Sequence, residues 1–155
     1  MKLKNKSKFP PSRNITKLTL ISAVIIFSQF ANAGDSANIK IVIHGLKNDD
    51  GTVRIALANS KENHSLNAKP YQDAETEIND KKATWVFENI PYGDYSIRLF
   101  HDENGNKILD KGLFGLPKEP YGYSNNARGR LSAPKWEDAK FKLDVEQVIS
   151  PIEVK

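Results

Sequence analysis

The chain has no cysteine among its 155 residues. That one absence excludes disulfides, thiolate metal sites, a cysteine nucleophile and lipidation of an amino-terminal cysteine. The first 33 residues contain no aspartate or glutamate, so all 19 acids lie beyond them. A bilayer-length apolar run is missing as well: the longest, Leu18 to Phe30, has 13 residues, and a spanning helix needs roughly 20. Phosphate-cradling glycine loops, nucleic-acid-binding signatures, coiled-coil heptads and internal repeats are likewise absent.

What stands at the amino terminus instead is an address. Lys2, Lys4, Lys6, Lys8, Arg13 and Lys17 precede the apolar run, and Ala31 and Ala33 place small residues at the two positions a signal peptidase reads. The pattern predicts a signal peptide over residues 1–33, a mature chain over 34–155 and a periplasmic or extracellular location, with no membrane span in the mature chain. Removal of the leader leaves 17 Lys and Arg against 19 acids, a net charge of about −2. The formal charge of the whole chain, +4, therefore belongs to the leader and gives no support to nucleic-acid binding.

The mature chain is one domain's worth of residues and reads as all-β. Ile39, Ile41 and Ile43 alternate with polar or smaller residues, and Val53, Ile55 and Leu57 do the same, so the two runs predict a hairpin closed by Asp50-Gly51. "AETEI" and "ATWVFENI", flanking "NDKK", predict a second hairpin with Trp85 and Phe87 on one core face. Pro91 and Gly93 turn the chain into a strand where Tyr95, Ile97 and Leu99 point one way and Ser96, Arg98 and Phe100 the other, with His101 continuing the inward row. A short helical turn is expected around Glu62 to Leu66 and another from Pro134 to Ala139. "FKLDV" and "PIEVK" read as terminal strands, with Pro151 confined to an edge or strand start. The sum is a single antiparallel β-sandwich of about seven strands, prealbumin-like or immunoglobulin-like, with one long ordered loop over Asp102–Ala133. A loop of that length is ordinarily functional or disordered, and its Leu113, Phe114, Leu116, Tyr121 and Tyr123 argue against disorder.

"HDENGNKILDKG" opens that loop. Asp102, Asn104 and Asn106 stand at alternate positions, and Asp110 follows, so hard oxygen donors recur in the way calcium requires. The match to an EF-hand loop fails at Lys107, where a turn glycine belongs, and at Leu113, where a closing glutamate belongs. Two readings remain: a looser calcium cage built from Asp102, Asn104, Asn106 and Asp110, or Asx turns that brace the loop without metal. A ligand surface is drawn from His101, Glu119, Tyr121, Tyr123, Ser124, Asn125, Asn126 and Arg128, with Phe114, Tyr92 and Trp136 as further aromatic candidates and Arg130 as a further polar one. His44 and His64 show no metal-ligand spacing and read as surface or rim residues.

"FENIPYGDYSIRLFHDENGNKILD", "GLPKEPYGYSNNARG" and "PKWEDAKFKLD", in that order, resemble the bacterial exported domain-of-unknown-function family 2141, over about residues 39 to 155. The resemblance implies a β-sandwich and an exported location, and it implies no catalytic residue. The expected function is a non-enzymatic exported protein that binds a small molecule, glycan or envelope protein through its 101–133 loop, with calcium as a stabilising ion. Two alternatives stand beside it: a small periplasmic hydrolase or isomerase using His101 with Asp102 or Glu119, and a structural module of an envelope assembly.

Overall fold

The computed structural model describes residues 36–130 and 132–155; the expected leader over 1–33 lies outside them. Eight strands are present among the described residues: β1 Ser36–His44, β2 Thr52–Ala58, β3 Gln72–Thr76, β4 Ala83–Pro91, β5 Gly93–Asp102, β6 Tyr121–Tyr123, β7 Phe141–Leu143 and β8 Gln147–Glu153. They form a sandwich of two sheets, one ordered β4-β1-β8 and the other β3-β2-β5-β6, with β7 pairing the start of β5. The alternation places the core: Ile39, Ile41 and Ile43 face Val53, Ile55, Leu57, Ile97 and Leu99 across it, all 0–3% exposed. Phe87 joins them at 4% exposure, and Trp85 meets it edge-on at 6.2 Å, on one face as expected.

Both expected hairpins are corrected. β1 and β2 do not pair; they belong to opposite sheets, and so do β3 and β4. Alternation reports which face of a strand is buried and is silent about which strand lies beside it. Around "NDKK" only Asn79 and Lys82 pair, and the crossing is braced by Asp49, whose carboxylate accepts the Asp80 and Lys81 N–H groups at 3.2 and 2.7 Å. Between β1 and β2 the chain passes against the end of β5. A side chain at Gly51 (φ 69°) would bring its Cβ to 2.0 Å from the Asp102 carbonyl oxygen, so only glycine fits there.

The sandwich is also not wholly antiparallel, because β8 runs parallel to β1. Ile41 pairs with Ile149 and Ile43 with Ile152, so an extra residue bulges at Ser150–Pro151, on a strand at the edge of its sheet. The eighth strand, β6, arises inside the stretch expected to be a loop. Two short helices complete the fold, α1 Lys61–His64 and α2 Trp136–Ala139. Ser60 caps α1 by a reciprocal bond with Asn63.

His64 corrects the expectation of a rim residue. It is 7% exposed, with Nδ1 2.8 Å from Ser96 Oγ and Nε2 2.9 Å from the Pro134 carbonyl oxygen. A carbonyl only accepts, so Nε2 carries the proton and Nδ1 accepts from Ser96. The ring lies between Trp136 and Tyr123, each 5.8 Å away, and thereby fastens α1 to α2 over β5.

Candidate functional site

The polar turn begins where β5 ends. Asp102 is 1% exposed; its Oδ1 accepts the Asn106 N–H at 3.1 Å and its Oδ2 the Lys107 N–H at 2.8 Å. Asn104 Oδ1 takes the Asn106 N–H at 3.0 Å and Asn106 Oδ1 the Ile108 N–H at 2.8 Å. The carboxamide nitrogens of Asn104 and Asn106 in turn donate to the two oxygens of Asp110, at 2.8 and 3.1 Å. Lys107 adopts φ 67°, the left-handed conformation its position demands despite the missing glycine. Glu119, 5% exposed, closes the loop by accepting the Glu103 and Asp110 N–H groups, each at 3.0 Å. Four of these bonds, those from the Asn106, Lys107 and Ile108 N–H groups to Asp102, Asn104 and Asn106, are of the Asx-to-backbone kind; the Asp110 bonds join side chains, and those to Glu119 are made by a glutamate. Among the described residues, no group of three or more His, Cys, Asp or Glu side chains is arranged to hold a metal ion, although Asp102, Asp110 and Glu119 put three carboxylates on one loop with no Lys or Arg paired to them.

His101 is wholly buried, and its Nε2 lies 2.6 Å from the Asp50 carbonyl oxygen, which fixes the proton on Nε2. Among the described residues Nδ1 has no hydrogen-bond partner, and it lies 3.9 Å from Glu103 Oε1. No hydrogen bond links the ring to Asp102 or Glu119, whose carboxylates are held by backbone N–H groups instead.

Several residues drawn together as a ligand surface spend their polar groups on the backbone of the fold. Ser124 is fully buried: its hydroxyl accepts the Ile97 N–H at 2.9 Å and donates to the Ala139 carbonyl oxygen at 2.6 Å. Asn125 donates to the Lys140 carbonyl oxygen at 2.9 Å, and Asn126 Oδ1 accepts the Glu153 N–H at 2.9 Å. Arg128 donates to the carbonyl oxygens of Tyr121 (3.1 Å) and Glu153 (2.7 Å) and lies 5.7 Å over the Tyr121 ring. These side chains hold β6, β8 and the α2 segment to one another. The wider aromatic platform is not assembled either, since Trp136 is 9% exposed against His64 and Phe114 is 98% exposed on a loop tip. Replacing Ser124 by alanine should orphan one buried N–H and one buried carbonyl and destabilise the fold by about 2 kcal/mol, read from denaturant midpoints at unchanged slope; a loss under about 0.5 kcal/mol would mean that the hydroxyl is dispensable.

Only Tyr121 and Tyr123 of that set line a cleft of about 400 Å³ on the outer face of the second sheet. Its remaining polar lining was not singled out from the sequence: Arg54 from β2, Arg98 from β5, Asp73 from β3, Asn67 from the α1–β3 segment, and Lys107 and Lys111 from the polar loop. Phe100 adds an aromatic surface, and Leu66, Pro70, Ile108 and Leu109 add apolar ones. Arg54 pairs with Glu75. Arg98 donates to the carbonyl oxygens of Asn63 (2.8 Å), His64 (3.3 Å) and Ala68 (3.1 Å), which orient the guanidinium and leave its charge uncompensated. Burial draws the Arg98 guanidinium below its ordinary range, and burial pushes the Tyr123 phenol beside it up to about 12, against the pull of Arg98, so that this hydroxyl stays neutral. The signal available in the sequence was the outward row of β5, where an arginine and a phenylalanine occupy positions that a merely solvated face does not call for.

A family model described as "Uncharacterized protein conserved in bacteria (DUF2141)" matches residues 41–150. No curated protein and no solved structure matches the chain.

Proposed function

The chain belongs to the DUF2141 family, and we propose that its task is non-enzymatic binding: exported by its leader, it takes a small anionic ligand with a ring or apolar body into the cleft of its second sheet. One observation carries this reading. Four cationic side chains (Arg98, Lys107, Lys111 and Arg54, the last paired with Glu75) and one acid (Asp73) line a cleft that also presents Phe100, Tyr121 and Tyr123. Its volume, about 400 Å³, is in the range of small-molecule sites. The positive lining stands out on a mature chain whose net charge is slightly negative, and Arg98 is held in place before any ligand arrives. The expected ligand-binding role of the 101–133 loop narrows here to Lys107–Lys111, Tyr121 and Tyr123. A hydrolase or isomerase centred on His101 lacks support, because that ring is enclosed and its protonated nitrogen is engaged by a backbone carbonyl.

A test uses the full chain, melted with and without 4-nitrophenyl phosphate, benzoate or neutral benzyl alcohol at millimolar concentration. The two anions should raise the melting temperature and the alcohol should not, and Lys111→Glu should abolish the rise. Lys111 is exposed, so this variant should melt within a degree or two of the parent in plain buffer. Equal stabilisation by benzyl alcohol, or no stabilisation by any probe, would remove the anionic cleft from the account.

A second reading is favoured by the three carboxylates of the polar loop. Asp102, Asp110 and Glu119 lie on one loop with no Lys or Arg ion-paired to them among the described residues, and calcium bound near Asp110 and the two asparagine oxygens would draw on that negative charge. Calcium would act here as a stabilising ion and not as a reactant.

A further inference from the structure

Between β5 and β6 the segment Asp110–Lys118 forms a closed finger. Lys111 pairs with Pro117 in antiparallel fashion, the Lys118 N–H donates to the Asp110 carbonyl oxygen at 2.8 Å, and the Gly112 N–H donates to the Leu116 carbonyl oxygen at 2.7 Å. Glu119 ties its base to the polar turn through the Asp110 N–H. The finger is thus closed by backbone bonds. At the tip Leu113 is 85%, Phe114 98% and Leu116 59% exposed. Phe114 is also held at φ 66°, a conformation a bulky residue disfavours, and packing does not compensate, because the ring meets almost only solvent.

Within the tip segment itself, residues 111–118, the only charged side chains are lysines. Lys111 and Lys118 flank the tip, both exposed, and neither is ion-paired among the described residues. The acids adjoining them in the chain are engaged: Asp110 by the carboxamides of Asn104 and Asn106, and Glu119, buried, by two N–H groups.

We propose that this finger docks the protein on an anionic phospholipid surface. Leu113, Phe114 and Leu116 enter the boundary between headgroups and acyl chains, and Lys111 and Lys118 meet lipid phosphates. A protruding apolar tip with a cationic collar suits a deformable interface of that charge; a protein partner would have to supply a preformed apolar pocket with acids at matching positions. Such contact is peripheral, and it agrees with the absence, among the described residues, of any helix long and apolar enough to cross a membrane. The proposal shares Lys111 with the ligand cleft, whereas Leu113, Phe114, Leu116 and Lys118 do not line it, so within the finger the test varies only residues of this second group.

The lack of cysteine makes a site-specific test direct. In the full chain, Leu113→Cys is labelled with an environment-sensitive nitrobenzoxadiazole dye, with Thr84→Cys on β4, exposed in the first sheet, as control. Vesicles of phosphatidylglycerol with phosphatidylcholine should shift the dye at position 113 to the blue and leave the dye at position 84 unchanged; pure phosphatidylcholine should move neither. Adding Phe114→Ser should weaken the vesicle response about tenfold or more, and adding Lys118→Glu should weaken it about fivefold or more, in a manner suppressed by salt. The position-84 dye also guards against insertion of residues 1–33 being mistaken for docking of the finger. A silent dye at 113, an equal response to neutral vesicles, or a blue shift that follows protein concentration without lipid (self-association through the tip) would overturn the proposal.

Discussion

Asp102→Ala is expected to lower the stability of the fold by about 3 kcal/mol, because one buried carboxylate holds two backbone N–H groups, those of Asn106 and Lys107, each in a charge-assisted bond. The melting temperature should fall on the order of 10 °C for a domain of this size. The loss arises at a junction. Thr52 pairs with Asp102 across β2 and β5, Gly51 passes close against the Asp102 carbonyl, and the Asn106–Lys107 turn positions Lys107 and Ile108 on the cleft. Asp102→Asn keeps the size and one acceptor and should retain about half of the stability lost in the alanine variant. Urea unfolding of the three proteins in the presence of chelator isolates this bracing from any ion. A loss below about 1 kcal/mol for Asp102→Ala would mean that the turn is held from elsewhere.

On the second reading, in which the polar loop takes calcium, calcium at about 100 times its dissociation constant raises the melting temperature of the parent chain on the order of 10 °C, the equivalent of roughly 2.7 kcal/mol. Magnesium should do much less, since a loop of carboxylates, carboxamides and carbonyls offers the larger and more variable coordination that calcium accepts. Asp110 is the carboxylate whose oxygens face side-chain carboxamides and not backbone N–H groups, so rotation of Asn104 and Asn106 would turn their oxygens inward at the expense of their bonds from the Asn106 and Ile108 N–H groups, while leaving the bonds to Asp102 and Glu119 in place. Asp110→Ala should therefore remove most of the calcium response while lowering the ion-free stability less than Asp102→Ala does. Superimposable melting curves with millimolar calcium and with chelator would leave the loop as a turn braced by N–H groups alone.

The sequence made the strands and their buried faces legible because period-two alternation is a local property. Ile39, Ile41 and Ile43, or Tyr95, Ile97 and Leu99, need no partner to declare their inward side. Pairing is not local, and so β1 and β2, which read as a hairpin, lie in different sheets. β6 was hidden for a related reason: Tyr121–Tyr123 is too short to show a period and is a strand only because β5 presents Arg98, Leu99 and Phe100 to it. The ligand surface read from Ser124, Asn125, Asn126 and Arg128 follows the usual inference that polar loop residues bind something. Here the backbone of β5, β8 and the α2 segment is what they bind, since a strand as short as β6 leaves carbonyl and N–H groups for side chains to satisfy. The cleft cations were missed because they come from three separate stretches of chain, and only folding brings Arg54, Arg98, Lys107 and Lys111 together. Asp102, Asn104, Asn106 and Asp110 were found as a unit because all lie within nine consecutive residues.

The central claim, that the cleft on the second sheet binds an anion, is tested most directly by amide NMR of the isotope-labelled full chain titrated with 4-nitrophenyl phosphate. The account predicts saturable shifts gathered at Arg54, Ala56, Arg98, Phe100, Lys111 and Tyr121, reproduced weakly or not at all by 4-nitrobenzyl alcohol. Shifts that fail to saturate, or that gather on the β4-β1-β8 sheet while these residues stay still, would contradict it.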